Sequence, residues 1–416
     1  MSKIFKFPKG FLWGAATSAH QVEGNNHNDW TEWEKENAER LSKESGGKYP
    51  PENYISGKAC DHYNRYEEDF DIAKSLGHNA HRFSIEWSRI EPEEGKFNEK
   101  EIEHYRKVIR ALHERRIEPF VTLWHWTMPV WFVKKGGFEK RENIKYFVRF
   151  CEAVIKEFKN DVKFWITLNE PEIYAGHSYL KGIWPPQKKN LISYLLVIKN
   201  LIRAHCEVYK IIKKIKPDAQ IGIAKNNIYF EAYQNKIGNR VLKKFIDWWW
   251  NFYFLNQIKN CQDFIGLNHY FHNLIKNFKF NQNVPLRGIS RREKNQKISD
   301  MGWELYPEAI YHVLKCLKKY NKPVYITENG LADAKDENRQ WFITESLQNI
   351  HKAISEGVDV RGYFHWSLTD NFEWDKGFWS RFGLVEIDYE TLERKPRPSS
   401  YIYAKITKSN AIEIND

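Results

Sequence analysis

Val162-Lys163-Phe164-Trp165-Ile166-Thr167-Leu168-Asn169-Glu170-Pro171 is a run of strand-forming residues that closes on an amide, a carboxylate and a proline. A second segment has the same design: Pro323-Val324-Tyr325-Ile326-Thr327-Glu328-Asn329-Gly330 ends in a glutamate followed by a turn signal. Working outward from these two, eight strand-like runs can be read. The other six are Phe11 to Gln21, His78 to Trp87, Ile117 to Trp126, Gln220 to Asn226, Asp263 to Tyr270 and Val360 to Asp370. Between them lie segments with helical spacing of apolar residues: His62 to Leu76, Ile102 to His113, Ile144 to Phe158, Leu191 to Ile215, Tyr306 to Tyr320 and Arg339 to Ile354. Strands that alternate with helices pair in parallel. The chain has 416 residues, long enough for two domains, but no linker or low-complexity break divides it. The expectation is an α/β protein with a single (β/α)₈ TIM barrel over residues 1–416.

The strands share a second property. Each starts apolar and finishes on polar or aromatic groups: Gln21, Arg82 in mid-strand, His125-Trp126, Asn169-Glu170, Asn226, Asn268 with Tyr270, Glu328, and Trp366 with Asp370. In such barrels function gathers at the carboxyl ends of the strands. Glu170 precedes a proline, which favours extended backbone and predicts that it stays on its strand. Glu328 precedes Asn329-Gly330, so both carboxylates are expected at strand tips on one rim.

Paired carboxylates bind metal or cleave glycosidic bonds. Metal needs further ligands at neighbouring tips, and His125, His269 and Asp370 are a thin set, so no metal and no cofactor is expected. Glycoside hydrolysis needs one carboxyl protonated and one ionised. Arg82 and Tyr270 are suited to hold Glu328 in its charged form, and a charged Glu328 raises the pKa of Glu170 and keeps it a proton donor.

Composition narrows the classes. The net charge is +11, from 65 Lys and Arg against 54 Asp and Glu, but the basic residues are scattered. The densest stretches, Lys213-Lys214-Ile215-Lys216 and Arg291-Arg292-Glu293-Lys294, are short, and no nucleic-acid partner is expected. Five dispersed cysteines fit free thiols in a reducing compartment. No apolar run reaches 18 residues, so no membrane partner is expected, and a cytoplasmic location follows. Aromatic residues make up 16%, with 17 Trp, which suits both a large core and flat pockets for sugar faces.

The motifs resemble those of glycoside hydrolase family 1, the retaining β-glycosidases. The resemblance runs from Phe7-Pro8-Lys9-Gly10-Phe11-Leu12-Trp13-Gly14 to about Arg397. It includes His81-Arg82-Phe83-Ser84-Ile85-Glu86-Trp87-Ser88-Arg89-Ile90, Thr167-Leu168-Asn169-Glu170-Pro171 and Ile326-Thr327-Glu328-Asn329-Gly330. It closes with Trp366-Ser367-Leu368-Thr369-Asp370-Asn371-Phe372-Glu373-Trp374 and Arg381-Phe382-Gly383-Leu384. The resemblance implies that Glu170 is the general acid/base and Glu328 the nucleophile, with a small β-glycoside as substrate. It also implies sugar-binding roles for Gln21, His125, Trp126, Asn169, Trp366, Glu373 and Trp374. Residue chemistry agrees: Asn169 adjoins the acid and suits a 2-hydroxyl contact, while Gln21, His125 and Glu373 are fixed polar groups and Trp366 offers a flat wall.

Between Asn371 and Trp374 a phosphorylated sugar calls for Ser, Lys and Tyr; this chain has Glu373, although Lys376 and Arg381 are near in sequence. An unphosphorylated substrate is therefore expected, with β-glucoside first and galactoside, fucoside or mannoside as side activities. The alternatives are a 6-phospho-β-glycosidase and an inactive carbohydrate-binding homologue. Two motifs depart from the family pattern: the usual H-W-D-L-P reads His125-Trp126-Thr127-Met128-Pro129, and the usual N-Y-Y reads Asn268-His269-Tyr270. Tyr270 is taken as the partner of the nucleophile and His269 as a supporting residue. The chain is also short for this family, which predicts trimmed rim loops. Trp248-Trp249-Trp250 reads as a helix turning an aromatic face to the core, with a platform for the leaving group as the other reading.

Overall fold

A computed structural model describes residues 3–276 and 297–414; the basic stretch Arg291-Arg292-Glu293-Lys294 lies outside them. Eight parallel strands close into a barrel: β1 Leu12–Ala16, β2 Ala80–Ser84, β3 Glu118–Thr122, β4 Phe164–Asn169, β5 Gln220–Asn226, β6 Ile265–Asn268, β7 Val324–Asn329 and β8 Val360–Trp366. Each strand pairs with the next in sequence, and β8 returns to β1 through Gly362↔Leu12 to Trp366↔Ala16. This is the (β/α)₈ architecture expected from the alternation. The helices after the strands are α1 His62–Ser75, α2 Glu99–Glu114, α3 Ile144–Phe158, α4 Leu191–Ile215, α5 Phe254–Ile258, α6 Ala309–Leu317, α7 Arg339–Ser355 and α8 Pro398–Ser409.

Local chemistry explains these elements. α2 starts at Asn98, whose side chain accepts from the Lys100 and Glu101 amides, and it buries Ile102, Tyr105, Val108, Ile109 and Leu112 at helical spacing. α3 and α4 have the bounds that their apolar periodicity predicts. The barrel interior is filled unevenly. β1 and β2 contribute the small Ala16 and Ala80, while β3, β4, β7 and β8 contribute Phe120, Phe164, Tyr325 and Phe364. Phe120 stacks on Phe164 with ring centroids 4.2 Å apart. This aromatic plug closes the lower barrel and leaves the carboxyl rim to polar groups.

The strands are shorter than the sequence runs at their carboxyl ends. β1 stops at Ala16, and Gln21 belongs to a helical turn, Ala19–Val22; β8 stops at Trp366, four residues before Asp370. The register slips between Ile166 and Asn169 on β4 and between Ile326 and Asn329 on β7. Such irregularities re-aim side chains, and both occur where the two conspicuous carboxylates begin. All five cysteines are free thiols. Among the described residues no helix is long and apolar enough to cross a membrane.

Candidate active site

Glu170 and Glu328 both lie buried at the carboxyl rim, each 4% exposed. Glu328 is the penultimate residue of β7. Its Oε1 accepts from Arg82 Nη1 at 2.5 Å and its Oε2 from Tyr270 Oη at 2.7 Å. Arg82 comes from β2 and is wholly buried. Its other donors reach Thr122 Oγ1 (3.1 Å), Thr327 O (3.2 Å) and Asn169 Oδ1 (2.7 Å), so the guanidinium is fixed from three strands. Gly330 brings the end of β7 against β8: a Cβ there would sit 1.9 Å from Trp366 O, a position no side chain can occupy.

Glu170 is not extended. Its φ and ψ are 42° and 59°, in the left-handed region, and it precedes the short helix Pro171–Ala175. The chain turns there from strand to helix, and Pro171 supplies the first helical position, where its missing N–H costs nothing. The turn wins over the proline's preference for an extended neighbour because Glu170 N–H donates to Ala224 O at 2.8 Å. Trp126 and Trp374 also have positive φ, so three rim residues carry backbone strain where function concentrates.

Glu170 Oε1 accepts from Asn268 Nδ2 at 2.9 Å and from Asn226 Nδ2 at 3.2 Å. Asn268 also donates to Asn169 Oδ1 at 3.1 Å, and Thr327 Oγ1 donates to Asn268 Oδ1 at 2.7 Å. A continuous path thus runs from Glu328 through Arg82, Asn169 and Asn268 to Glu170. Burial, and then the negative charge of Glu328, push the Glu170 carboxyl up to about 8, against the pull of the two amides. The like charge is the expected cause of this rise, but burial is the larger one. Glu328 departs further from expectation. Burial raises it above the usual carboxylate value although Arg82, Tyr270 and Asn268 pull it down. Burial and Glu328 raise the Tyr270 phenol, which keeps it a donor.

The other sequence-selected residues surround this pair. Gln21 Nε2 donates to Phe372 O (3.0 Å) and Glu373 Oε2 (3.2 Å), and its Oε1 accepts from Ser18 Oγ at 2.6 Å. Burial, then the charges of Glu328 and Asp375, raise Glu373 to about 8. His125 Nε2 accepts from Asn169 Nδ2 at 3.1 Å, which places the ring proton on Nδ1, a buried atom without a partner. Burial, reinforced by Arg82, holds His125 neutral, well below its usual range. That N–H is free to meet a ligand hydroxyl. The His125 ring faces Trp366 and Trp374 at centroid distances of 5.9 and 6.0 Å. Trp126 has a structural tie: its Nε1 donates to Asn169 O at 2.9 Å, and its ring packs on Trp184 and Trp374.

Some sequence candidates are occupied elsewhere. Asp370 accepts from Arg397 at 2.8 and 3.0 Å and from Arg381 at 3.2 Å. His269 faces Asn227 O. Lys376 lies 2.5 Å from Asp375. Trp248-Trp249-Trp250 opens a π-helical segment, Trp248–Tyr253, and the run divides: Trp248 is exposed, whereas Trp250 is buried with its Nε1 3.4 Å from Asn226 Oδ1.

Asn226, Asn268, Lys225 and Glu172 join the site in the structure without a sequence expectation for it. The two amides stood at strand tips, the only signal available. Lys225 and Glu172 had none, since their contact joins β5 to the turn after β4. Lys225 is wholly buried; its Nζ donates to Asn226 O and Trp250 O, both at 2.7 Å, and lies 3.2 Å from Glu172 Oε1, off the hydrogen-bond axis. It braces the strand that presents Asn226 to Glu170.

The profile described as "Glycosyl hydrolase family 1" matches residues 4–259 and 254–412. The chain is 37% identical to a protein named Beta-glucosidase A from Thermotoga maritima, over 99% of each chain. That alignment runs over 455 positions, more than this chain has residues, so the relative carries segments that this chain lacks. Among solved structures, a beta-glycosidase from Pyrococcus horikoshii superposes with a TM-score of 0.88 at 40% identity, covering 100% of this chain and 97% of that one. The T. maritima beta-glucosidase in complex with glucoimidazole gives 0.86 at 34% identity, covering 97% and 99%.

Proposed function

The chain belongs to glycosyl hydrolase family 1, a family of glycosidases, and from that premise we propose that it is a retaining, exo-acting β-glucosidase of unphosphorylated β-glycosides. The observation that carries the reading is the inequality of the two buried carboxyls within one hydrogen-bonded network. Burial raises both, but Glu170 accepts only from two neutral amides and is pushed up to about 8, whereas Glu328 is ion-paired to Arg82 and accepts from Tyr270, which favour its charged form. Glu328 attacks the anomeric carbon while Glu170 gives its proton to the leaving oxygen. Both amide bonds to Glu170 fall on Oε1, so Oε2 is left to carry the proton. Forming the glycosyl ester removes the charge of Glu328, the second cause of the raised Glu170 pKa. Glu170 then becomes the base that draws a proton from water, and the ester is hydrolysed with net retention.

Gln21, Glu373 and the unpartnered Nδ1–H of His125, beside the Trp366 ring, support a role in reading sugar hydroxyls. Glucose is favoured as the sugar because the T. maritima relative is named a beta-glucosidase and is solved with glucoimidazole. A 6-phosphate is disfavoured: Lys376 is paired with Asp375, Arg381 with Asp370, and Glu373 stands at the site itself.

Glu328→Gly should abolish hydrolysis of 4-nitrophenyl β-glucoside, and added azide should restore turnover and give the α-glucosyl azide. Activity of the variant equal to that of the unmodified chain sinks the assignment. Assaying glucoside beside glucoside 6-phosphate separates the second substrate class.

A further inference from the structure

The helix Ile237–Asp247 follows β5 on the rim that carries the site. Ile237, Val241, Phe245 and Trp248 fall on one of its faces, at spacings of four, four and three. A surface helix normally turns such a stripe inward. Here the stripe faces outward: the four side chains are 73, 62, 60 and 44% exposed, while Leu242, on the flank of the stripe away from the basic residues, packs with Ile228, Phe230 and Trp250. The outward stripe is bordered by exposed basic residues, Lys236, Arg240 and Lys244; the helix's acid, Asp247, is held by Lys243 at 2.9 Å. The apolar surface continues. The Trp248 ring lies 6.0 Å from Trp249, whose Nε1 donates to Tyr194 Oη at 3.0 Å, and beside Tyr194 the first turns of α4 expose Ile192, Leu195 and Leu196. Most of the exposed large apolar side chains among the described residues belong to these two elements.

We propose that this face docks on an anionic lipid surface, with Phe245 and Trp248 entering the interface and Lys236, Arg240 and Lys244 meeting lipid headgroups. An apolar stripe bearing Trp and Phe with a basic border is the pattern of a helix that lies in the interface plane. Such docking needs no spanning helix, and the net charge of +11 adds long-range attraction. A second copy of the chain is the poorer occupant, because a two-fold contact brings the basic border against its own image. The docking stands independently of the catalytic assignment.

The full chain should float with extruded vesicles of mixed phosphatidylcholine and phosphatidylglycerol far more than with phosphatidylcholine alone. High salt should release it. Arg240→Glu/Lys244→Glu should lower partition onto the mixed vesicles by about tenfold or more, since each basic residue at the surface contributes roughly fivefold. Phe245→Ser/Trp248→Ser should lower partition comparably. Both variants should keep the unmodified rate on a soluble aryl glucoside, which shows that they fold. Equal partition onto both vesicle types, or variants that float like the unmodified chain, overturns the proposal. So does a concentration-dependent dimer lost in Phe245→Ser/Trp248→Ser without vesicle binding, which assigns the face to a second copy.

Discussion

Glu170 and Glu328 share burial and rim, and differ in their partners. Two neutral amides hold Glu170, and a guanidinium and a phenol hold Glu328. A proton on Glu170 is the requirement for leaving-group departure, so the sign of the pH dependence follows. With the free carboxyl at about 8, kcat/KM should be sustained on the acid side of that value and fall as pH rises through it. Glu373 titrates in the same range, and its deprotonation adds charge beside the pair. Glu170→Gln, assayed on a substrate whose leaving group needs no proton, should lose the alkaline limb that belongs to the acid. A limb unchanged in that variant assigns the titration to Glu373.

At the scale of elements, the site depends on how neighbouring strands end. The slips on β4 and β7, the left-handed turn at Glu170 and the approach of Gly330 to β8 all re-aim tips. Behind them, the buried pair Lys225–Glu172 ties β5 to the turn after β4. Removing one member strands the other, so Lys225→Met should cost about 3–5 kcal/mol, measured by denaturant unfolding. Lys225→Met/Glu172→Leu should recover much of that stability, because no buried charge is left. Neither variant keeps the clamp on Asn226, so kcat should stay depressed in both while KM moves little. Full recovery of kcat in the double variant contradicts this positioning role.

For the whole molecule, the tie between the two ends of the chain and the chemistry occupy opposite rims. The strand Lys3–Lys6 pairs antiparallel with Ala411–Ile414, and Asn410 ties the two ends of the chain. Its Oδ1 accepts from Trp13 Nε1 at 2.9 Å and its Nδ2 donates to Phe7 O at 2.9 Å and Pro8 O at 3.2 Å. These contacts lie at the amino ends of the strands, far from Glu170 and Glu328. Asn410→Ala removes all three and should destabilise the fold by roughly 1–3 kcal/mol, read as a lowered unfolding midpoint. The value of kcat/KM below the midpoint should be unchanged. Loss of activity in step with stability overturns the separation of the rims.

Strand-and-helix alternation and polar strand tips were legible in the residues, because a barrel strand must be apolar within and polar at its catalytic end. The bounds of α3 and α4 and the pairing of Tyr270 with Glu328 were open to the same reading. The left-handed Glu170, the outward stripe of Ile237–Asp247 and the splitting of Trp248 from Trp250 were not. Local preference sets which conformations are inexpensive, and long-range bonds choose among them. By itself the sequence determined that two carboxylates stand at the tips of parallel strands in one barrel. Only the tertiary structure showed burial to be the larger cause of the rise at Glu170, because burial and the amides from β5 and β6 exist only once distant segments are brought together.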